Sequence, residues 1–127
     1  MSLDFEMYNS SRSMGWAEPD PKDCPIIMAG ICYGKVINRP AFQVVVETEE
    51  VYRIDECGGE LEMFDALTSQ IQTVDPDILF TYSGNRFDLP YANARAVVLA
   101  EGPDEAVPDW PLKWGRDGSR LRMSRDI

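Results

Sequence analysis

The spacing of apolar residues changes abruptly at Gly59, and this change constrains the fold more than any other feature. Before it, residues 1–7 alternate apolar and acidic side chains, and residues 25–34 and 41–46 are compact apolar runs. We therefore expect three strands, the last two forming an antiparallel hairpin. After Gly59 the apolar residues recur every three or four positions, which predicts a helix. These residues are Leu61, Phe64, Leu67, Ile71 and Val74.

Downstream of that helix the pattern predicts one more strand and one more helix. Residues 75–77 place a proline between two aspartates and end the first helix, and the apolar run 78–82 predicts a buried strand. Asn85 can cap a second helix from residue 86 to about residue 100, with Pro90 in or near its first turn. The order β-β-β-α-β-α predicts an α/β domain with a mixed sheet, because a crossover helix lets the fourth strand pair in parallel.

The length of the chain predicts a single domain. It has 127 residues, of which 44% are hydrophobic, so we expect one modest core within residues 1–127. Residues 102–127 are predicted to form an irregular, basic tail. The side chains expected in the core, between the sheet and the two helices, are Phe5, Ile27, Ala29, Ile31, Val44, Leu67, Ile71, Leu79 and Leu89.

The composition excludes several classes of chemistry. Histidine is absent, so imidazole-based catalysis and histidine-ligated zinc are ruled out. The 22 acidic residues against 12 basic ones give a net charge of -10, which does not favour a generic nucleic-acid-binding surface. Three cysteines without CxxC spacing predict a reduced, cytoplasmic setting, and neither a signal peptide nor a membrane segment is expected.

Two groups of residues are candidates for carboxylate chemistry. Asp4 and Glu6 lie two apart on a predicted strand, so their side chains leave the same face about 6.6 to 6.8 Å apart. Asn85 and Asp88 lie at a predicted helix start directly after a strand, where α/β folds place their sites. Carboxylates are ligands for Mg²⁺, and a pair of such ions can support phosphodiester cleavage. Alternatively, the first pair is a solvated strand face, and the second pair caps a helix and matches its dipole.

Three segments resemble the exonuclease region of family B DNA polymerases. Residues 75–96, DPDILFTYSGNRFDLPYANARA, are similar to the second exonuclease motif of that family. Residues 3–7, LDFEM, are similar to the first motif, DxE, and residues 115–119, GRDGS, are similar to the linker that follows the second motif. The resemblance covers nearly the whole chain in the family's order and spacing, and it is specific.

The resemblance implies a 3′–5′ proofreading exonuclease domain with a ribonuclease-H-like fold of the DEDD superfamily, using two divalent metal ions, Mg²⁺ or Mn²⁺. It implies that Asp4, Glu6 and Asp88 are catalytic metal ligands, with Glu6 also orienting the attacking water. The residues expected to contact the terminal nucleotide are Met7, Asn85, Arg86 and Phe87. The implied partners are the 3′ end of single-stranded or frayed DNA and a polymerase domain in the same or a companion chain.

The third motif of that family, YxxxD, has no counterpart in this sequence. Tyr52 and Glu56 have the nearest spacing, but they precede the second motif and end in a different acid. We therefore expect a fold that is incomplete at its C-terminus, a piece of a larger polymerase region, and a chain that is weakly active or inactive alone. If another acid replaces the missing aspartate, the first candidates are Asp104, Glu105 and Asp109.

Three further points stay open at the level of the sequence. The chain could instead be a non-catalytic fragment that binds a nucleic acid or a partner subunit, or a related nuclease acting on RNA, which the FDLPY motif disfavours. Its acidic, lysine-poor composition favours a halophilic source, the alternative being that other polymerase parts carry the basic surface. Tyr82 and Tyr91 are expected to pack in the protein, with stacking on an unpaired base as the alternative.

Overall fold

A computed structural model describes the molecule over five ranges, which are residues 1–9, 19–38, 42–82, 87–100 and 112–120. Side chains are described throughout these ranges except at residues 36–38 and 42–47.

Three antiparallel strands form the sheet, in the order β1-β2-β3. These are β1 (Ser2–Met7), β2 (Ile26–Asn38) and β3 (Phe42–Arg53). Strand β2 lies in the centre, and its pairing with β3 confirms the predicted hairpin. The hairpin strands are longer than the apolar runs alone indicate, because their outer halves carry polar residues that still pair through the backbone.

The helices follow the sheet along the chain. A short helix α1 (Ile54–Cys57) leads into α2 (Glu60–Val74), and α3 is formed by Leu89–Ala100. Helix α2 has the bounds that the apolar spacing predicts, whereas α1 was not predicted, since four residues are too few to show a period. Helix α3 begins later than the predicted residue 86, with Pro90 in its first turn as expected.

The predicted fourth strand is reduced to a single bridge in the described residues. Phe80 pairs in parallel with Ser2, and the backbone N–H of Leu3 donates to the Phe80 carbonyl at 3.0 Å. The parallel pairing is therefore confirmed. The predicted burial is wrong, because Ile78, Phe80 and Tyr82 are all exposed. Alternation turns Phe80 to the face opposite the helices, a face that the described residues leave uncovered.

The core lies between the inner face of the sheet and the helices, and it contains five of the predicted residues. These are Phe5, Ala29, Ile31, Leu67 and Ile71. Leu79 and Leu89 are only partly buried, and the side chain of Val44 lies outside the described residues. Ile27 is also only partly buried, because the register shifts between Glu6 and Met7 and leaves Ile27 as the extra residue of a bulge. Its neighbour Ile26 takes the core position instead.

Part of the predicted tail packs against α2. Leu112 and Trp114 are buried, and the Trp114 indole donates a hydrogen bond to the Thr68 hydroxyl at 3.0 Å. Arg116 then forms exposed ion pairs with Asp75 and Asp77 just beyond the end of α2. Among the helices in the described ranges, none is long and apolar enough to span a membrane.

Candidate active site

Strand β1 places its two acids on the solvent side of the sheet. Leu3 and Phe5 are buried in the core, so alternation turns Asp4 and Glu6 to the opposite, exposed face. On the neighbouring strand β2, Gly30 lies directly opposite Asp4. Because glycine has no side chain, it leaves the space beside the Asp4 carboxylate open.

Asp88 is the third acid predicted for the site, and it differs from the first two in being buried. Its exposed fraction is 5%, and it lies with Phe87 in a π-helical turn immediately before α3. Turns of this kind occur often at functional sites. Burial raises the pKa of the Asp88 carboxyl, and the negative charges of Asp4 and Glu6 raise it further. The three acids are therefore close enough to interact electrostatically.

The chemistry of this donor set suits a hard divalent cation. All three groups offer carboxylate oxygens, which are the ligands that Mg²⁺ and Mn²⁺ take in proteins. A cation beside Asp88 would relieve the repulsion from Asp4 and Glu6 that raises its pKa. Within the described ranges, however, no three acidic or cysteine side chains are already gathered at ligand distance. The assignment of Asp4, Glu6 and Asp88 as metal ligands stays a prediction.

The other predicted site residues lie in different surroundings. Phe87 is half-buried, and its ring centroid lies 5.6 Å from that of Tyr91. Met7 is partly buried against the core at the end of β1. Asn85 and Arg86 lie outside the described residues, so their predicted contacts with a nucleotide stay untested.

The two tyrosines singled out in the sequence have opposite environments. Tyr91 is buried, as expected, whereas Tyr82 is fully exposed and does not pack in the described part of the chain. Tyr82 follows the bridge at the sheet edge, on the uncovered side of the sheet. The expectation of packing is therefore confirmed for Tyr91 and wrong for Tyr82.

An open groove runs along the uncovered face of the sheet next to Asp4. It has a volume of about 920 Å³, and its walls include Glu49, Val51, Phe80 and Tyr82. Asp4 is thus reachable from solvent through a groove with both acidic and apolar walls. The groove is lined by three acids, Asp4, Glu49 and Glu50, which would repel a phosphate group unless a cation were present.

A buried polar network connects α3 with α2 and the start of β2, and it was not predicted from the sequence. The guanidinium of Arg95 donates to both carboxylate oxygens of Glu60, and the exposed fractions of the two side chains are 8% and 5%. Arg95 also donates to the Pro21 carbonyl at 2.8 Å, and the backbone N–H of Ile26 donates to Glu60 at 2.8 Å. The sequence does contain a signal for this network, since Arg95 is the single charged residue of α3, whose other residues are mostly apolar.

Tyr91 extends the same network. Its hydroxyl donates to the Cys24 carbonyl, in the loop that precedes β2. Burial raises the pKa of Tyr91 to about 12, so the hydroxyl stays protonated and remains a donor at neutral pH. Helix α3 is therefore fastened to this loop at two points, through Tyr91 and Arg95.

The antiparallel sheet, its parallel bridge and the helices form an α/β domain, and this architecture is consistent with the ribonuclease-H-like type. The sequence profile of "DNA polymerase family B, exonuclease domain" matches residues 4–118. The chain belongs to this family.

Similar proteins are full-length DNA polymerases of archaea. The chain is 29% identical to a DNA polymerase of Methanocaldococcus jannaschii over 133 residues, which covers 98% of this chain and 6% of the relative. It is 29% identical to DNA polymerase 2 of Aeropyrum pernix over 110 residues, or 78% of this chain and 10% of the relative.

A solved structure gives the same result for the fold. The family B DNA polymerase of Pyrobaculum calidifontis superimposes with a TM-score of 0.66 and 25% identity, over 98% of this chain and 13% of that one. The chain thus spans about a tenth of the length of the polymerases it resembles.

Proposed function

We propose that this chain is the 3′–5′ proofreading exonuclease unit of a family B DNA polymerase and removes nucleotides from the 3′ end of single-stranded or frayed DNA. The observation that carries the proposal is the burial of Asp88 in the turn before α3, where the charges of Asp4 and Glu6 on β1 add to burial in raising its pKa. The membership in the exonuclease family supports it. The polymerase domain of the same or a companion chain is the proposed partner.

Asp4, Glu6 and Asp88 would hold one or two Mg²⁺ or Mn²⁺ ions, with oxygen ligands from two elements of the fold. When bound, such ions activate a water molecule and stabilise the leaving oxygen of a phosphodiester. In this arrangement the exposed Glu6 orients the water, and the groove beside Asp4 admits the DNA end. Met7, Asn85, Arg86 and Phe87 are the proposed contacts for the terminal nucleotide.

The isolated chain should be a poor catalyst. The sequence has no YxxxD motif after the second motif, so one acid and the water-orienting tyrosine of the family pattern are missing. Positioning of the reacting groups supplies a large share of the rate in such reactions, with effective molarities of about 10⁵ M and above for well-oriented groups. We therefore expect weak Mn²⁺ binding and hydrolysis several orders of magnitude slower than in an intact exonuclease.

The experiment is a digestion of 5′-labelled single-stranded DNA by the chain with Mn²⁺, at low and at multimolar salt. The variants are Asp4→Ala and, as a matched control, Asp65→Ala, which removes an exposed acid on α2. Slow, stepwise 3′ shortening that Asp4→Ala abolishes and Asp65→Ala preserves would support the proposal. Higher activity in multimolar salt would support the halophilic interpretation of the charge of -10.

Two results would change the proposal. Binding of DNA without any cleavage, unaffected by Asp4→Ala, would favour a non-catalytic binding fragment. Fast cleavage that Asp4→Ala abolishes would show that another acid replaces the third motif, and Asp104, Glu105 and Asp109 would then be substituted in turn.

A further inference from the structure

The three acids of the site are carried by two separate pieces of the fold. Asp4 and Glu6 lie on β1, whereas Asp88 lies in the turn immediately before α3. Any joint action of the acids depends on how these two pieces are held together. A displacement of about 1 Å between such groups can lower the reaction rate about 100-fold.

Helix α3 follows Asp88 and presents one face to the rest of the protein, where the buried network lies. Tyr91 and Arg95 lie four residues apart on one side of the helix, and Asp88 lies in the turn directly before it; all three side chains are buried. Tyr91 is bonded to the Cys24 carbonyl and Arg95 to the Pro21 carbonyl. The first two turns of the helix that follows Asp88 are therefore fastened to the loop before β2.

Glu60 connects this helix to the sheet. One of its carboxylate oxygens accepts hydrogen bonds both from Arg95 and from the backbone N–H of Ile26, the first residue of β2. Ile26 is in turn the register partner of Met7, the residue next to Glu6. The buried Glu60 carboxylate thus joins α3, the helix that follows Asp88, to the start of β2. At this point β2 pairs with β1, the strand that carries Asp4 and Glu6.

From this connection we infer that the buried Arg95–Glu60 ion pair is a positioning element that sets Asp88 against Asp4 and Glu6. The inference rests on the proposed function for its consequence, cation binding, but the geometry itself is independent of it. Neither Arg95 nor Glu60 touches the substrate or the cation in this arrangement. The two residues act through the placement of α3.

The decisive variant replaces both charges at once, as Glu60→Leu with Arg95→Met. Apolar replacement of a whole buried pair often leaves stability unchanged or higher, so the effect on position can be separated from unfolding. With the thermal midpoint retained, we expect Mn²⁺ affinity, measured by calorimetry, to fall about 10- to 100-fold, as for other groups that support metal ligands. Arg116→Met, which removes an exposed arginine paired with two aspartates, is the matched control and should leave the affinity unchanged.

A second measurement does not need a cation. Spin labels at Tyr8→Cys and Val97→Cys, two exposed positions beside β1 and on α3, report the distance between the two pieces. The background carries Cys24→Ala, Cys32→Ser and Cys57→Ser. We expect a narrow distance distribution with the ion pair intact, and a shifted or broader one in the double variant.

The outcomes separate the two proposals. If the parent chain binds no Mn²⁺, the proposed metal function fails, and the spin-label distances still decide the positioning role. If the folded double variant keeps both the parent distance distribution and the parent Mn²⁺ affinity, the positioning role is overturned. If the double variant does not fold, Arg95→Lys is judged by the same two measurements. The lysine of this variant keeps a positive charge opposite Glu60, but it has no further nitrogen to donate to the Pro21 carbonyl as Arg95 does.

Discussion

Glu60 and Asp88 are two buried acids with opposite electrostatic surroundings. The exposed fractions of the whole residues are similar, 7% for Glu60 and 5% for Asp88. Glu60 accepts hydrogen bonds from Arg95 and from the backbone of Ile26, so its charge is compensated. The charges that act on Asp88 within the described ranges are those of Asp4 and Glu6, which have the same sign.

The two acids differ in how the surrounding residues compensate their charge. A buried charge without a partner costs free energy, and folds normally pair it or avoid it. Groups kept in such a state cluster at functional sites, where a ligand supplies the missing charge. Glu60 is therefore a structural acid, and Asp88 has the surroundings expected for its proposed role as a cation ligand.

The largest effect on stability is expected when Glu60 loses its compensating charge and its surroundings become like those of Asp88. Arg95→Met removes the compensating charge and leaves Glu60 buried alone, which typically costs about 3 to 5 kcal/mol. Chemical denaturation at neutral pH measures the change in the free energy of unfolding. A loss below about 1 kcal/mol would mean that Glu60 finds water or another partner without Arg95.

A bound cation should stabilise the protein by giving Asp88 the opposite charge that the described residues do not supply. A cation that binds only the folded state raises the free energy of unfolding by about 1.4 kcal/mol at ten times its Kd. We expect Mn²⁺ or Mg²⁺ to raise the unfolding midpoint of the parent chain and to have a much smaller effect on Asp88→Asn. An equal rise in both proteins would place the cation elsewhere.

Neutralising Asp88 should stabilise the protein at neutral pH, by less than the loss at Arg95. Burial and then the charges of Asp4 and Glu6 raise the pKa of Asp88 above its ordinary value of 3.8, so the folded state holds the proton more tightly than the unfolded state. The parent chain and Asp88→Asn should match below that value. The parent should lose stability relative to the variant as pH rises through the raised pKa. Thermal unfolding from pH 3 to pH 7 measures this difference, and a constant difference would contradict it.

The smallest effect is expected at the exposed counterpart of the buried pair. Arg116 bonds Asp75 and Asp77 much as Arg95 bonds Glu60, but its side chain is 58% exposed. Water and salt screen such a pair, so Arg116→Met should change the unfolding midpoint only slightly, and the change should disappear in high salt. A salt-independent loss comparable to that of Arg95→Met would show that the described part of the tail is fastened through Arg116.

Local patterns were sufficient to predict the elements that bury one face. The alternation around Phe5 predicted β1, and the spacing around Leu67 predicted α2 with its actual bounds. The burial of residues 78–82 was not predicted correctly, because an apolar run is the same whether or not another element covers it. Ile27 was misplaced because a bulge shifts the alternation by one residue, and local sequence does not show a bulge.

The candidate site also combines features that follow from local sequence with features that depend on packing. The sequence by itself determined the identity of the three candidate acids, the face of β1 that carries two of them, and the position of Asp88 near a helix start, since these follow from residue type and backbone period. Only the tertiary structure decided that Asp88 is buried within electrostatic reach of Asp4 and Glu6, while Glu60, a first-turn acid of α2, pairs with Arg95 from another helix. Burial and pairing join residues that are far apart in the chain, such as the 35 positions between Glu60 and Arg95, so they depend on the packing of whole elements.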